Sequence, residues 1–272
     1  MDIVDTHVHL YSEDETRYPM KKDPLRPPSG TGTVAHLRRV TSHAGVKKIV
    51  AIQTGTAYLY DNRFLADTVK ANRDWMRGVC TLDPSDPSSP TELTRLVNEY
   101  GMRGLRVPFS EAKGHEDLKR MWKAASSLGI VICAHFRGDY YNTLANLLEL
   151  FPEVPVVLDH CAYPSVLEAP EYTTIKRLLE LSLFRNLYAK LSFVVMASTM
   201  PYPCSDAHIL VKKVIEGFGA ERCMWGSCFP TELWIPKVTY EQHLQIFTKE
   251  MDLDEDVKRI ILERTPLELW FK

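Results

Sequence analysis

Met1-Asp2-Ile3-Val4-Asp5-Thr6-His7-Val8-His9-Leu10 opens the chain, an apolar β-branched run that ends in carboxylate and imidazole side chains. It reads as a buried strand with a polar end. A doubly wound open sheet would need a glycine-rich, phosphate-binding turn directly after its first strand, and residues 5–9 contain no glycine. Seven more short apolar runs follow, at 48–52, 78–82, 104–107, 130–134, 154–158, 187–191 and 223–225. Between them apolar residues recur at helical spacing, as in Leu93, Leu96, Val97 and Tyr100, or Leu118, Met121, Trp122 and Ala125, or Leu144, Leu147, Leu148 and Phe151. Gly101, Gly129 and Gly219 stand where left-handed caps would end helices, and Ser205-Asp206 marks a helix start. Eight β/α alternations within 272 residues predict a (β/α)8 TIM barrel. The Pro/Ser-rich stretches 23–30 and 83–90 are loop-sized and no repeat appears, so 1–272 is expected to be a single domain.

The formal charge of −2 argues against a nucleic-acid surface. Six cysteines without a C-x-x-C pair read as reduced, buried thiols. The N-terminus has neither a basic region nor a signal-like apolar stretch, and no run reaches membrane-spanning length. A cytoplasmic protein with no membrane partner is the expectation, with assembly into a homo-oligomer left open.

In such barrels the chemistry lies at the C-terminal strand ends. His7 and His9 are two apart, so an extended strand points both into the barrel, where they suit a divalent metal or a shared water. The fifth run ends in Ala134-His135-Phe136-Arg137 and the sixth in Leu158-Asp159-His160-Cys161-Ala162-Tyr163. A lone histidine there would read as a core residue bonded to a carbonyl. Four of the 9 histidines at strand ends point instead to a functional cluster.

The eighth run continues as Trp225-Gly226-Ser227-Cys228-Phe229-Pro230. With the D-T-H-x-H opening, Gly104-Leu105-Arg106, Asp159-His160 and Lys190-Leu191-Ser192, it gives a chain that resembles the amidohydrolase superfamily over nearly its whole length. The group it resembles includes 2-pyrone-4,6-dicarboxylate hydrolases, sugar-lactone lactonases and, more distantly, aminocarboxymuconate-semialdehyde decarboxylase. The resemblance implies an amidohydrolase-type barrel in which His7 and His9 form the strand-one metal or water site. It implies His135 as the strand-five ligand of metal-dependent members, and His160 as the histidine that polarises substrate or shuttles a proton. Lactone hydrolases of this group often work without a metal, so a metal-free site stands beside a zinc or other divalent one.

The departure is at strand eight, where W-G-[ST]-D-W-P is usual and Cys228 takes the aspartate's place. Cys228 could be a thiolate acting as base, soft ligand or nucleophile, which would favour zinc. It could be a neutral filler while another group moves the proton. The site could also be degenerate, a ligand-binding barrel without turnover, although its histidines are retained. Arg106 and Arg137 suit a substrate carboxylate, Tyr163 could cap the substrate, and Trp234, with Glu232, could line the pocket and face a ring. Lys190 reads as strand packing or a buried ion pair, residues 11–30 as a lid loop, and residues 251–262 as a solvated helix face. The expected activity is hydrolysis of a small cyclic carboxylate, a lactone or similar ester. His7, His9 and His135 would polarise the carbonyl, with His160 and Cys228 catalytic; decarboxylation of a related acid is the alternative.

Overall fold

A computed structural model describes residues 1–272. Eight strands pair in parallel in chain order. They are β1 (Ile3–Val8), β2 (Val46–Ile52), β3 (Met76–Thr81), β4 (Gly104–Pro108), β5 (Val131–His135), β6 (Val156–Leu158), β7 (Leu187–Lys190) and β8 (Cys223–Met224). β8 is only two residues long, and the segment after it brings the last strand back to the first. The Thr6 amide donates to Trp225 O at 3.2 Å, the His9 amide donates to Phe229 O at 2.8 Å, and Val8 bridges Phe229. The result is a (β/α)8 barrel, as the spacing of apolar runs predicts.

Strand alternation divides the apolar side chains into two sets. Leu105 and Val107 on β4, Ala134 on β5, and Ala189 with the following Leu191 at the end of β7 face outward into the large core beneath the helices. Val50, Ile52, Val79, Val131, Cys133, Val157 and Met224 form a separate small cluster, joined by Trp270 of the C-terminal helix Thr265–Trp270. This cluster is the apolar floor of the barrel. Gly104 lies beside it because a Cβ there would come within 2.9 Å of the Trp270 ring. Arg106, His135 and Lys190 continue the inward-facing series of their strands above the floor.

Gly101 and Gly129 end their helices with φ of 74° and 63°, the left-handed caps expected. Gly219 differs: its φ of 80° comes with ψ of 146°, and the chain passes straight into the 3-10 turn Ala220–Arg222. Ser205–Ala207 is a single 3-10 turn leading into helix His208–Phe218. Residues 251–262 are not simply a solvated face, because Met251, Ile261 and Leu262 pack into the core. Charge alternation hid those three contacts. No helix is long and apolar enough to cross a membrane.

Candidate active site

A cavity of about 450 Å³ opens at the C-terminal ends of the strands. Its walls include His7, His9, Arg106, His135, Arg137, His160, Tyr163, Cys228 and Trp234, nine of the ten residues singled out from the sequence. Glu232 does not line it; its carboxylate lies 3.5 Å from Nε2 of His36 instead. Trp225, fully buried, donates from Nε1 to His243 at 3.0 Å and is packing.

At the floor, His7 Nε2 and His9 Nε2 are 3.1 Å apart, and His9 Nδ1 lies 3.1 Å from the Ile52 carbonyl. The His7 and His160 rings are 4.5 Å apart between centroids. His135 turns away from this group, with Nε2 2.8 Å from the Tyr163 hydroxyl. The Arg137 guanidinium lies 3.5 Å over the Tyr163 ring. Trp234 faces His9 at 5.4 Å between ring centroids.

Burial lowers all four histidines, His9 and His135 to about 3, with the neighbouring Arg106 charge adding to the effect. At neutral pH they are neutral imidazoles.

Two charged residues that sequence reasoning did not place in the site organise it. Asp159 is wholly buried and accepts from Lys190 Nζ through Oδ1 at 2.8 Å and from Arg106 Nε through Oδ2 at 2.8 Å. Burial alone would raise this carboxyl, but Lys190 and Arg106 outweigh it and hold it well below the usual carboxylate range. Burial likewise opposes the charges on Arg106 and Lys190, and Asp159 restores both. The sequence signal for Asp159 was its place directly before His160 at the end of β6. Lys190 forms the buried ion pair expected of it.

Cys228 lies against His160, with Sγ 3.7 Å from Nδ1 and 3.6 Å from the Ser192 carbonyl. Burial pushes its thiol up to about 12, away from the thiolate considered above. His160 Nδ1 also meets Ser192 Oγ at 2.8 Å. Both Cys228 (φ 56°) and the run His160, Cys161, Ala162 and Tyr163 (φ 52°, 51°, 58° and 63°) have left-handed backbone without a glycine. That run carries His160 and Tyr163 into the cavity together.

Behind the floor, Asp5 accepts from the amides of His7 at 3.1 Å and Ser227 at 2.9 Å, from Ser227 Oγ at 2.5 Å and from the Tyr240 hydroxyl at 2.9 Å. It ties β1 to the strand-eight segment and fixes the start of the His7-Val8-His9 stretch.

His7, Asp159 and His160, rather than His7, His9 and His135, are the residues whose donor atoms lie within 4.8 Å of one another. They fit a divalent ion poorly as they stand. The Lys190 ammonium already contacts two of them, Asp159 Oδ1 at 2.8 Å and His7 Nδ1 at 3.3 Å.

The family model described as Amidohydrolase matches residues 4–272. An L-fucono-1,5-lactonase of Burkholderia ambifaria is 23% identical over 237 residues, spanning 84% of this chain and 80% of that protein. A structure of a probable 2-pyrone-4,6-dicarboxylic acid hydrolase of Acinetobacter baumannii, with citric acid bound, superposes with a TM-score of 0.84 at 21% identity over 100% of both chains. An amidohydrolase of Burkholderia multivorans with bound zinc superposes with a TM-score of 0.78 at 16% identity over 99% of both chains.

Proposed function

The chain belongs to the amidohydrolase family, and we propose that it hydrolyses a small cyclic carboxylate, a lactone or a similar ester, in the cavity described above. The observation that carries the reading is the bonding of Arg106. Its Nε is committed to Asp159, while its two terminal nitrogens make no hydrogen bond to the protein in a side chain that lines the cavity. A planar pair of donors held by its other edge suits a carboxylate. Arg137 and Lys21, which also line the cavity, have no acidic partner and outnumber its one lining carboxylate, Glu111, which accepts from the Tyr60 hydroxyl, so its mouth favours an anion. The lactonase and pyrone-hydrolase relatives support the same substrate class.

His160 is the base in this reading. If Nδ1–H donates to Ser192 Oγ, then Nε2, which has no protein partner, carries its lone pair on the cavity side. A neutral imidazole can take a proton from water as the water oxygen attacks the lactone carbonyl. The Arg106 charge stabilises the developing oxyanion. Collapse of the tetrahedral intermediate breaks the ring C–O bond, and the imidazolium returns its proton to the departing oxygen. Cys228, as a neutral thiol donating to the Ser192 carbonyl, fills the space beside Nδ1 and keeps the ring in place.

The test is a panel of lactones with and without a carboxylate substituent, assayed with the purified protein and with Arg106→Gln. Turnover confined to carboxylate-bearing lactones is expected, with KM raised on the order of 10–100-fold and kcat lowered as well in the variant. Release of carbon dioxide without ring opening would replace hydrolysis by decarboxylation. A ligand that raises Tm without any product would replace it by binding alone.

A further inference from the structure

We propose that the Lys190 ammonium, buried beneath the floor of this cavity, stands in for a divalent metal and fixes the strand-one histidines in tautomers that a metal cannot use. The proposal deepens the hydrolytic reading of the same cavity, but its tests need no substrate.

One hydrogen-bond chain joins the Ile52 carbonyl to the Lys190 ammonium through His9 and His7. At one end, His9 Nδ1 lies 3.1 Å from the Ile52 carbonyl, which can only accept, so His9 carries its proton on Nδ1. A neutral His9 then has a lone pair on Nε2. The facing nitrogen, His7 Nε2 at 3.1 Å, must donate to it. A neutral His7 protonated on Nε2 has its lone pair on Nδ1.

At the other end, Lys190 Nζ lies 3.3 Å from His7 Nδ1 and 2.8 Å from Asp159 Oδ1. The carboxylate keeps the amine protonated, and an ammonium has donors only. It therefore requires a lone pair on His7 Nδ1. The two ends, on different strands, demand the same assignment. Lys190 donates to His7 Nδ1, His7 Nε2–H donates to His9 Nε2, and His9 Nδ1–H donates to Ile52 O.

A metal ion held by both Nε2 atoms would need two lone pairs there. His7 would have to move its proton to Nδ1, aimed at the ammonium from 3.3 Å. The other donor set, His7 with Asp159 and His160, already meets the ammonium at two of its three members, through His7 Nδ1 and Asp159 Oδ1. Both routes to a metal thus pass through Lys190. In its place the ammonium, paired with Asp159 beneath the cavity floor, orients the His7 and His9 rings. Lys190 is a positioning residue.

Two measurements test this on the full chain after dialysis against a chelator. Imidazole ¹⁵N correlation spectra, assigned with His7→Gln and His9→Gln, read the tautomers directly. His7 protonated on Nε2 and His9 on Nδ1 are expected in the parent protein; His7 protonated on Nδ1 would overturn the proposal. Calorimetric titration with Zn²⁺ compares the parent with Lys190→Met, which keeps the stem and removes the charge. The parent should bind on the order of 100-fold more weakly than the variant, with the variant's new site lost on His9→Gln. One tight equivalent of Zn²⁺ in the parent, abolished by His9→Gln, would also overturn it. If Lys190→Met does not fold, the parent's spectrum and titration decide between these outcomes alone.

Discussion

The Sγ of Cys228 lies 3.7 Å from Nδ1 of His160, on the opposite side of that ring from the nitrogen left without a protein partner. The cysteine therefore touches the proposed base without standing between it and the cavity. Cys228→Ser should keep kcat within about threefold of the parent, since a hydroxyl can replace the S–H donor to Ser192 O. With the thiol pushed up to about 12, only on the order of one in 10⁴ is ionised at pH 8. All six cysteines are buried, so the folded protein should not react with Ellman's reagent over minutes and should titrate six thiols once denatured. One rapidly reacting thiol, lost in Cys228→Ser, would reinstate the thiolate reading.

Asp159 compensates two buried cations at once. Asp159→Asn leaves Lys190 and Arg106 without their counter-charge and should destabilise the fold by about 3–5 kcal/mol, read as a fall in the urea midpoint. Adding Lys190→Met should recover a substantial part of the loss. A double variant as unstable as the sum of the two single ones would mean that the residues act independently.

The buried imidazoles make stability depend on pH with a definite sign. His9, His135 and His243 are lowered to about 3 by burial, while the unfolded chain titrates near 6.5. Between these values the unfolded state binds protons that the folded state refuses, so stability is full above about 6.5 and falls as the pH is lowered. Each such histidine should remove on the order of 1 kcal/mol per pH unit below ~6.5. Urea titrations at pH 7.5, 6 and 5 measure the slope; equal midpoints would show that the imidazoles accept protons in the folded protein.

Gly226 is a steric prediction. A Cβ there would lie 2.7 Å from His7 Cβ and 3.1 Å from the His7 amide nitrogen. Gly226→Ala should cost about 1–3 kcal/mol and lower kcat, because the displaced group carries the His7 ring. Unchanged stability with unchanged kcat would show that β1 can yield at no cost.

Much of this was legible in the sequence because it repeats locally. Alternation at His7 and His9, and the polar residues at the ends of the first, fifth and sixth apolar runs, require only knowledge of a strand's two faces. What escaped was pairing across strands. Asp159 was visible as the neighbour of His160, but nothing in the chain says that Arg106, 53 residues away, and Lys190, 31 residues away, converge on its two oxygens. Tyr240, 235 residues from Asp5, is hidden for the same reason. The burial of Met251, Ile261 and Leu262 was masked by flanking charges that point outward. Cys228 could be located but not assigned a charge, since that depends on how completely the folded chain excludes water from it.

Residues 160–163 form a left-handed turn built entirely without glycine. Each such residue costs on the order of 1 kcal/mol, so the molecule gives up stability at the place where its chemistry sits. A designer seeking a hardier variant would try Ala162→Gly first, because glycine adopts a φ of 58° without strain. The same freedom would loosen the relation between His160 and Tyr163, whose rings the turn now holds 4.8 Å apart. Robustness and aim are opposed within four consecutive residues, and the natural chain has kept aim.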